Sequence, residues 1–155
     1  MADTLRNCKQ EVLALLEDLP YHCLLLFDLG YFSFPLFDYL TERGYYWISR
    51  YPEKTCYQIL HVYSQQGVIL DAVVWLGSAH GARAARAVRL VRFGDGKELR
   101  MYFTNVLDPV ALPLADIARL YARRWQIETS FRYATCALAL ECPRLWSLEA
   151  RLKLL

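Results

Sequence analysis

The sequence lacks the residue patterns that hold a structural metal or a disulfide framework. Its five cysteines are an odd number, and no two of them have CxxC spacing. The histidines, His22, His61 and His80, form no HxxxH pair. These absences argue against a zinc site and against a disulfide-bonded secreted protein. Free thiols instead suit a reducing cytosol.

The sequence also lacks a long apolar run and a strong net charge. The longest uncharged apolar run near its start, Cys23 to Phe27, is far too short to span a bilayer, and no stretch resembles a signal peptide. A net charge of +2 does not by itself indicate a nucleic-acid partner. The part from Leu114 to Leu155 is mildly basic, with 7 Lys and Arg against 4 Asp and Glu, which is compatible with phosphate contact.

What the chain does contain is enough apolar material for a folded domain. It has 155 residues, of which 55% are hydrophobic and 22% charged. That length fits one domain, and that composition can fill its core. The 11 Tyr, 7 Phe and 4 Trp argue against disorder as the main state.

The first third of the chain predicts an α/β arrangement. The predicted elements are a helix over Thr4 to Leu19, a strand over Cys23 to Phe27, a helix over Phe34 to Arg43 and a strand over Tyr45 to Tyr51. The continuous apolar run at Cys23 is typical of a central strand that is buried on both faces. Asp28 then lies at the carboxyl end of that strand, where open α/β sheets place their ligands.

The middle of the chain predicts antiparallel strands outside the main sheet. Four short β-like runs are separated by glycine: Tyr57 to Tyr63, Val68 to Leu76, Val88 to Phe93, and Leu99 to Phe103. The sequence Gly94-Asp-Gly96 predicts a hairpin turn between the last two. We therefore expect three parts: residues 1–51 and 107–155 as the two halves of a catalytic domain, and 52–106 as a β-rich insertion.

Four arginines recur at every third position in this middle part. They are Arg83, Arg86, Arg89 and Arg92. One interpretation is a ridge that faces DNA. The other is a set of solvated charges on turns and strands, which is the commoner role of surface arginines.

A long helix from about Leu114 to about Leu140 carries the strongest functional pattern. Tyr121, Arg124 and Glu128 follow at i, i+3 and i+7, and Arg132 joins the same face at i+11. A carboxylate between arginines can hold a cation and meet a phosphate. The alternative is a solvated helix face with an ordinary Arg124–Glu128 pair.

These residues resemble the DDE transposases of the insertion-sequence family "four". That family carries the signature Y-x2-R-x3-E-x6-K, which matches Tyr121, Arg124 and Glu128, while Thr135 stands where it has lysine. Its second acidic residue lies in a D-x-G-(Y/F) motif, here Asp28-Leu-Gly30-Tyr31. The resemblance runs from about Val12 to the end of the chain.

The resemblance implies an RNase-H-like fold, here partial: an α/β mixed sheet with flanking helices and an inserted antiparallel β subdomain. It implies that Asp28 and Glu128 are catalytic metal ligands, and that Tyr121, Arg124 and Arg132 contact DNA. The family cleaves and joins double-stranded DNA at transposon ends with Mg²⁺ or Mn²⁺. It also implies a bacterial-type, nucleoid-associated cytoplasmic protein that forms a homodimer when intact, with no membrane partner.

The family's first catalytic Asp has no counterpart in this sequence, and the sequence stops at Leu155 within a segment that still has a helical pattern, so we expect a chain truncated at both ends. Nothing before Leu19 has the pattern of the strand that would carry it, and Asp3 suits a helix cap. We therefore expect the chain to be inactive alone, with metal bound only by an intact site. The alternatives are a non-catalytic DNA-binding or interaction remnant, an inert α/β domain, and an RNase-H-like nuclease outside transposition.

Overall fold

Seven strands and two helices make up the part of the chain that the computed structural model describes: residues 16, 19–20, 22–78, 80–94, 98–130 and 137–140. The strands are β1 Leu24–Phe27, β2 Tyr46–Arg50, β3 Tyr57–Gln66, β4 Ile69–Leu76, β5 Val88–Gly94, β6 Leu99–Thr104 and β7 Ala137–Leu140. The helices are α1 Phe34–Glu42 and α2 Leu114–Ser130. Most of the helix predicted over Thr4 to Leu19 lies outside the described residues.

All seven strands belong to one mixed sheet, in the order β3-β4-β5-β6-β2-β1-β7. Only β1 and β2 are parallel neighbours, and every other pair is antiparallel. This mixed α/β architecture confirms the predicted fold class and is consistent with a partial RNase-H-like fold.

The expectation that the middle strands stand outside the main sheet is wrong. They are antiparallel, as predicted, but β6 pairs with β2 and thereby joins them to the α/β strands. Strand patterns report which segments are extended; they do not report which edges pair, because backbone hydrogen bonds are the same for every sequence. The division of the chain into three parts stays a prediction.

One face of the sheet packs against α1. Leu36, Phe37 and Leu40 from the helix join Phe27 and Trp47 from β1 and β2 in a buried cluster. The rings of Phe37 and Trp47 are stacked with centroids 4.1 Å apart. The helix ends as predicted, because Gly44 adopts a φ of +79° that glycine tolerates without strain.

The opposite face packs against α2. Ile117 and Tyr121 from this helix lie in a second buried cluster with Leu24 and Leu26 of β1 and Ile48 of β2. All four residues of β1 are therefore buried, since one helix covers each face. This confirms the prediction of a central strand made from its unbroken apolar run.

The edge strand β3 projects beyond the helices. Nearly all of its residues are exposed, including Ile59 and Leu60 at 45% and 47%. The pairing of β3 with β4 shifts register between Ile59 and His61 and again between Val62 and Ser64. Such bulges twist an edge away from regular pairing and discourage association with another strand.

The helix α2 is shorter than predicted. It ends at Ser130 instead of about Leu140, and Ala137–Leu140 forms β7, which pairs antiparallel with β1. The apolar spacing of this segment fits a helix as well as a strand. A buried strand needs partners for its backbone N–H and C=O groups on both sides, and β2 and β7 supply them for β1.

Candidate active site at the carboxyl end of β1

Asp28 follows directly after the last residue of β1. It caps a short 3-10 turn over Leu29–Tyr31, in which the Tyr31 N–H donates to the Asp28 carbonyl at 3.1 Å. Its backbone is extended, so the alternation that turns Leu24 and Leu26 toward α2 also turns Asp28 to that side. The structure therefore puts a partly buried carboxylate at the strand end that the sequence predicted.

Tyr121 brings α2 to the same end of the sheet. Its side chain is 2% exposed, and its hydroxyl donates to the carbonyl of Phe27 at 3.2 Å. Its ring lies 4.5 Å, centroid to centroid, from that of Tyr102 on β6. Tyr102 is in turn the β6 partner of Arg50, the last residue of β2. Tyr121 thus anchors α2 next to the residue that precedes Asp28.

The remaining residues of the helical signature continue from this anchor. The helical backbone extends through Ser130, so Arg124 and Glu128 share the face of Tyr121, with Glu128 about 10 Å further along the axis. The side chains of Arg124 and Glu128, and all of Arg132 and Thr135, lie outside what the structure describes. The distance from Glu128 to Asp28 and the roles of these residues therefore stay predictions.

Arg50 occupies the position on β2 that corresponds to Asp28 after β1. Phe27 pairs with Ser49 in the parallel ladder, so Asp28 and Arg50 are the next residues of their strands. Arg50 is exposed. A guanidinium beside a carboxylate can bind a phosphate oxygen while the carboxylate binds a cation.

An open cleft of about 670 Å³ runs from Arg50 toward the β5–β6 hairpin. Its lining residues are Arg50, Glu98, Leu99, Arg100, Tyr102, Tyr121 and Ala122. Asp28 does not line it. Arg100 pairs with Glu98 at 3.2 Å, but both side chains are more than half exposed, so the pair adds little stability. The cleft can accept a polar chain such as a nucleic-acid backbone.

Two titratable side chains next to the ends of β1 and β2 stay neutral. Burial raises the pKa of the Cys23 thiol just before β1, so it is a poor nucleophile. Burial, followed by Tyr57 and Cys56, raises the pKa of the Tyr51 hydroxyl just after Arg50. That hydroxyl donates to the Thr55 carbonyl at 2.7 Å. Neither group is suited to acid–base chemistry near neutral pH.

The row of four arginines is not a DNA-facing ridge. Arg89 is fully buried and bound to Asp71, which neither interpretation of the sequence anticipated. Arg83 lies over the ring of Trp75, 4.4 Å from its centroid, and Arg92 donates to the Val68 carbonyl. A spacing of three residues cannot form one row here, because these arginines lie on a loop and then on a strand of period two.

The donor set fits a hard divalent cation in kind. Among the described residues no three His, Cys, Asp or Glu side chains group together as a metal site. Of the two predicted ligands, the structure describes the side chain of Asp28 and not that of Glu128. Mg²⁺ is commonly held by one or two carboxylates together with water and substrate phosphate. Asp28 with Glu128 would meet that minimum. These two carboxylates would supply less negative charge to a metal ion than a complete set of three.

Comparison with known proteins gives one match. A family model described as the transposase DDE domain matches residues 6–145. No curated protein and no solved structure matches the chain. No helix within the described part of the chain is long and apolar enough to cross a membrane.

Proposed function

This chain belongs to the transposase DDE domain family, and we propose that it carries part of the active site of an insertion-sequence transposase of family "four". The observation that carries the proposal is the buried hydrogen bond from the Tyr121 hydroxyl to the Phe27 carbonyl. It joins the helix of the Y-x2-R-x3-E signature to the strand that ends at Asp28. The two motifs on which the resemblance rests, 94 positions apart at this bond, thereby meet at one end of the sheet.

Asp28 and Glu128 are the proposed metal ligands. When bound, Mg²⁺ or Mn²⁺ would activate the attacking oxygen and stabilise the leaving 3′ oxygen of DNA. Tyr121 holds α2 against the sheet. Arg124 and Arg132 are proposed to contact the DNA backbone. We add Arg50 because it follows Ser49, the ladder partner of Phe27, as Asp28 follows Phe27. Double-stranded transposon-end DNA is the proposed substrate, for a homodimeric, nucleoid-associated enzyme.

We further propose that these 155 residues alone cleave DNA weakly or not at all. They supply two carboxylates of the family's three, and two dications need more negative charge than that to compete with solvent. Thr135 also offers no positive charge to a phosphate where the signature has lysine. DNA binding without cleavage is the alternative, and the exposed Arg50 beside the open cleft supports it.

Plasmid nicking tests the proposal. Supercoiled DNA is incubated with the chain and Mg²⁺ or Mn²⁺, beside Asp28→Ala/Glu128→Ala and, as a matched loss of carboxylate, the exposed Glu42→Ala at the end of α1. We expect little nicking by the unmodified chain and salt-sensitive DNA binding by all three proteins. Strong nicking by the unmodified chain and by Glu42→Ala, but not by the double variant, would disprove the proposal that the chain alone is inactive. Absence of DNA binding even at low salt would contradict the transposase assignment of this site.

A further inference from the structure

A buried ion pair crosses two strands on the α2 side of the sheet. Arg89 of β5 is 0% exposed and Asp71 of β4 is 5% exposed. The Arg89 Nε donates to Asp71 Oδ1 and Nη2 donates to Oδ2, both at 2.6 Å. The contact is therefore bidentate, the geometry in which a guanidinium binds a carboxylate most strongly.

The same guanidinium also binds the loop that leads into α2. Its Nη1 donates to the Leu112 carbonyl at 2.6 Å and, more weakly, to the Asp108 carbonyl at 3.5 Å. These two residues are themselves joined, because the Leu112 N–H donates to the Asp108 carbonyl at 3.2 Å. Leu112 precedes Pro113, and α2 begins at Leu114.

Strand cohesion alone does not require this arrangement. Burying two charges is expensive, and apolar residues of similar volume often serve a core as well as an ion pair. Arg89 differs from such residues in presenting several donors in one plane, so that it binds a carboxylate and a carbonyl at the same time. A lysine has no comparable planar array. The feature that needs arginine is the simultaneous link between β4, β5 and the start of α2.

We propose that Arg89 is a positioning residue that fixes where α2 starts on the sheet. The rigid guanidinium sets the distance between the Asp71 carboxylate and the Leu112 carbonyl. The start of α2 is thereby held at one position along the sheet, the position at which Tyr121 contacts the end of β1. Glu128 lies two turns after Tyr121 on the same helix. The consequence for catalysis rests on the proposed function of Glu128. The positioning of α2 itself does not.

Hydrogen exchange of the free protein tests this role. Arg89→Met leaves Asp71 unpaired and is expected to destabilise the whole sheet. The informative variant is therefore Asp71→Leu/Arg89→Met, which removes both charges together with the bond to Leu112. Arg92→Met is the matched control, since Arg92 is on the same strand but donates to the Val68 carbonyl instead.

We expect the double variant to keep the protection of its β4 and β5 amides. The amides of α2 from Asp116 onward should exchange roughly ten- to a hundredfold faster, the equivalent of losing a charged hydrogen bond to a buried carbonyl. Arg92→Met should change neither region. The proposal is wrong if α2 exchanges at the wild-type rate in the double variant, or if β4, β5 and α2 lose protection equally. In either case Arg89 has no specific role in positioning α2.

The readout keeps this inference separate from the proposed function. Exchange is measured without DNA or metal, so normal α2 protection in the double variant refutes the positioning role whatever the plasmid assay shows. Failure of the chain to bind DNA refutes the proposed function while leaving the exchange result intact. Should Arg89→Met fail to fold, the double variant still decides, because it carries no unpaired buried charge.

Discussion

Replacing Tyr121 by phenylalanine removes the one hydroxyl that joins the signature helix to the end of β1. The ring stays, and with it the contact to Tyr102, while the bond to the Phe27 carbonyl is lost. A neutral buried hydrogen bond contributes about 0.5–1.5 kcal/mol to the free energy of unfolding. At 3.2 Å this bond is longer than the roughly 2.5–3.0 Å that is usual between a hydroxyl and an oxygen acceptor, which favours the lower half of that interval.

Thermal unfolding measured by circular dichroism reads this loss directly. Since each kcal/mol corresponds to roughly 2–4 °C in a domain of this size, Tyr121→Phe should lower Tm by about 1–4 °C. Tyr63→Phe on the exposed strand β3 is the matched control, because Tyr63 is 40% exposed, and it should leave Tm unchanged. The same samples should bind DNA with an unchanged salt dependence. Tyr121 is only 2% exposed to solvent, so its hydroxyl is not accessible to a DNA phosphate.

Two results would refute the reasoning. If Tyr121→Phe is as stable as the unmodified chain, the hydroxyl does not anchor α2. If instead it weakens DNA binding and flattens its salt dependence without lowering Tm, Tyr121 contacts DNA directly, as the family resemblance implies. If Tyr63→Phe lowers Tm as much as Tyr121→Phe does, the fall in Tm reflects the removal of any tyrosine hydroxyl and not the loss of the bond to Phe27.

Three further predictions follow from single residues. Arg50→Ala should weaken DNA binding and reduce the slope of log K against log salt by about 0.9, as for one lost phosphate contact, whereas Arg43→Ala at the end of α1 should not. Trp47→Ala should cost about 3–5 kcal/mol in urea denaturation, because the ring is fully buried and stacked on Phe37. Gly77→Ala should cost at least about 1–3 kcal/mol, since φ is +99° and a Cβ would lie 2.2 Å from the Ala82 carbonyl oxygen; equal stability would disprove this strain.

Local patterns in the sequence predicted most of the elements and the position of Asp28 at the end of β1. The strand at Cys23 to Phe27, the helix closed by Gly44 and the strand-like runs between Tyr57 and Phe103 all have counterparts in the structure. These predictions succeed because apolar period and turn residues are local properties. Asp28 was found in the same way, as the first polar residue after a run that is buried on both faces.

The predictions that failed depended on partners distant in sequence. The segment at Ala137 was read as helix, yet it pairs with β1 because that strand had an open edge. Arg89 was read as a surface charge, yet Asp71 and the Leu112 carbonyl bind it in the core. No local pattern distinguishes a buried arginine from an exposed one, since its environment is made by residues 18 and 23 positions away.

The sequence by itself determined the chemistry that this protein can offer: a carboxylate after a buried strand, and a helix that carries Tyr121, Arg124 and Glu128 on one face. The tertiary structure decided which of these groups meet. It turned Tyr121 inward as the anchor of α2, brought Arg50 alongside Asp28 and used Arg89 to tie the sheet to the start of the helix. The physical reason is that side-chain type and helical spacing are written in the chain, whereas burial and hydrogen-bond partners exist only once distant segments have packed.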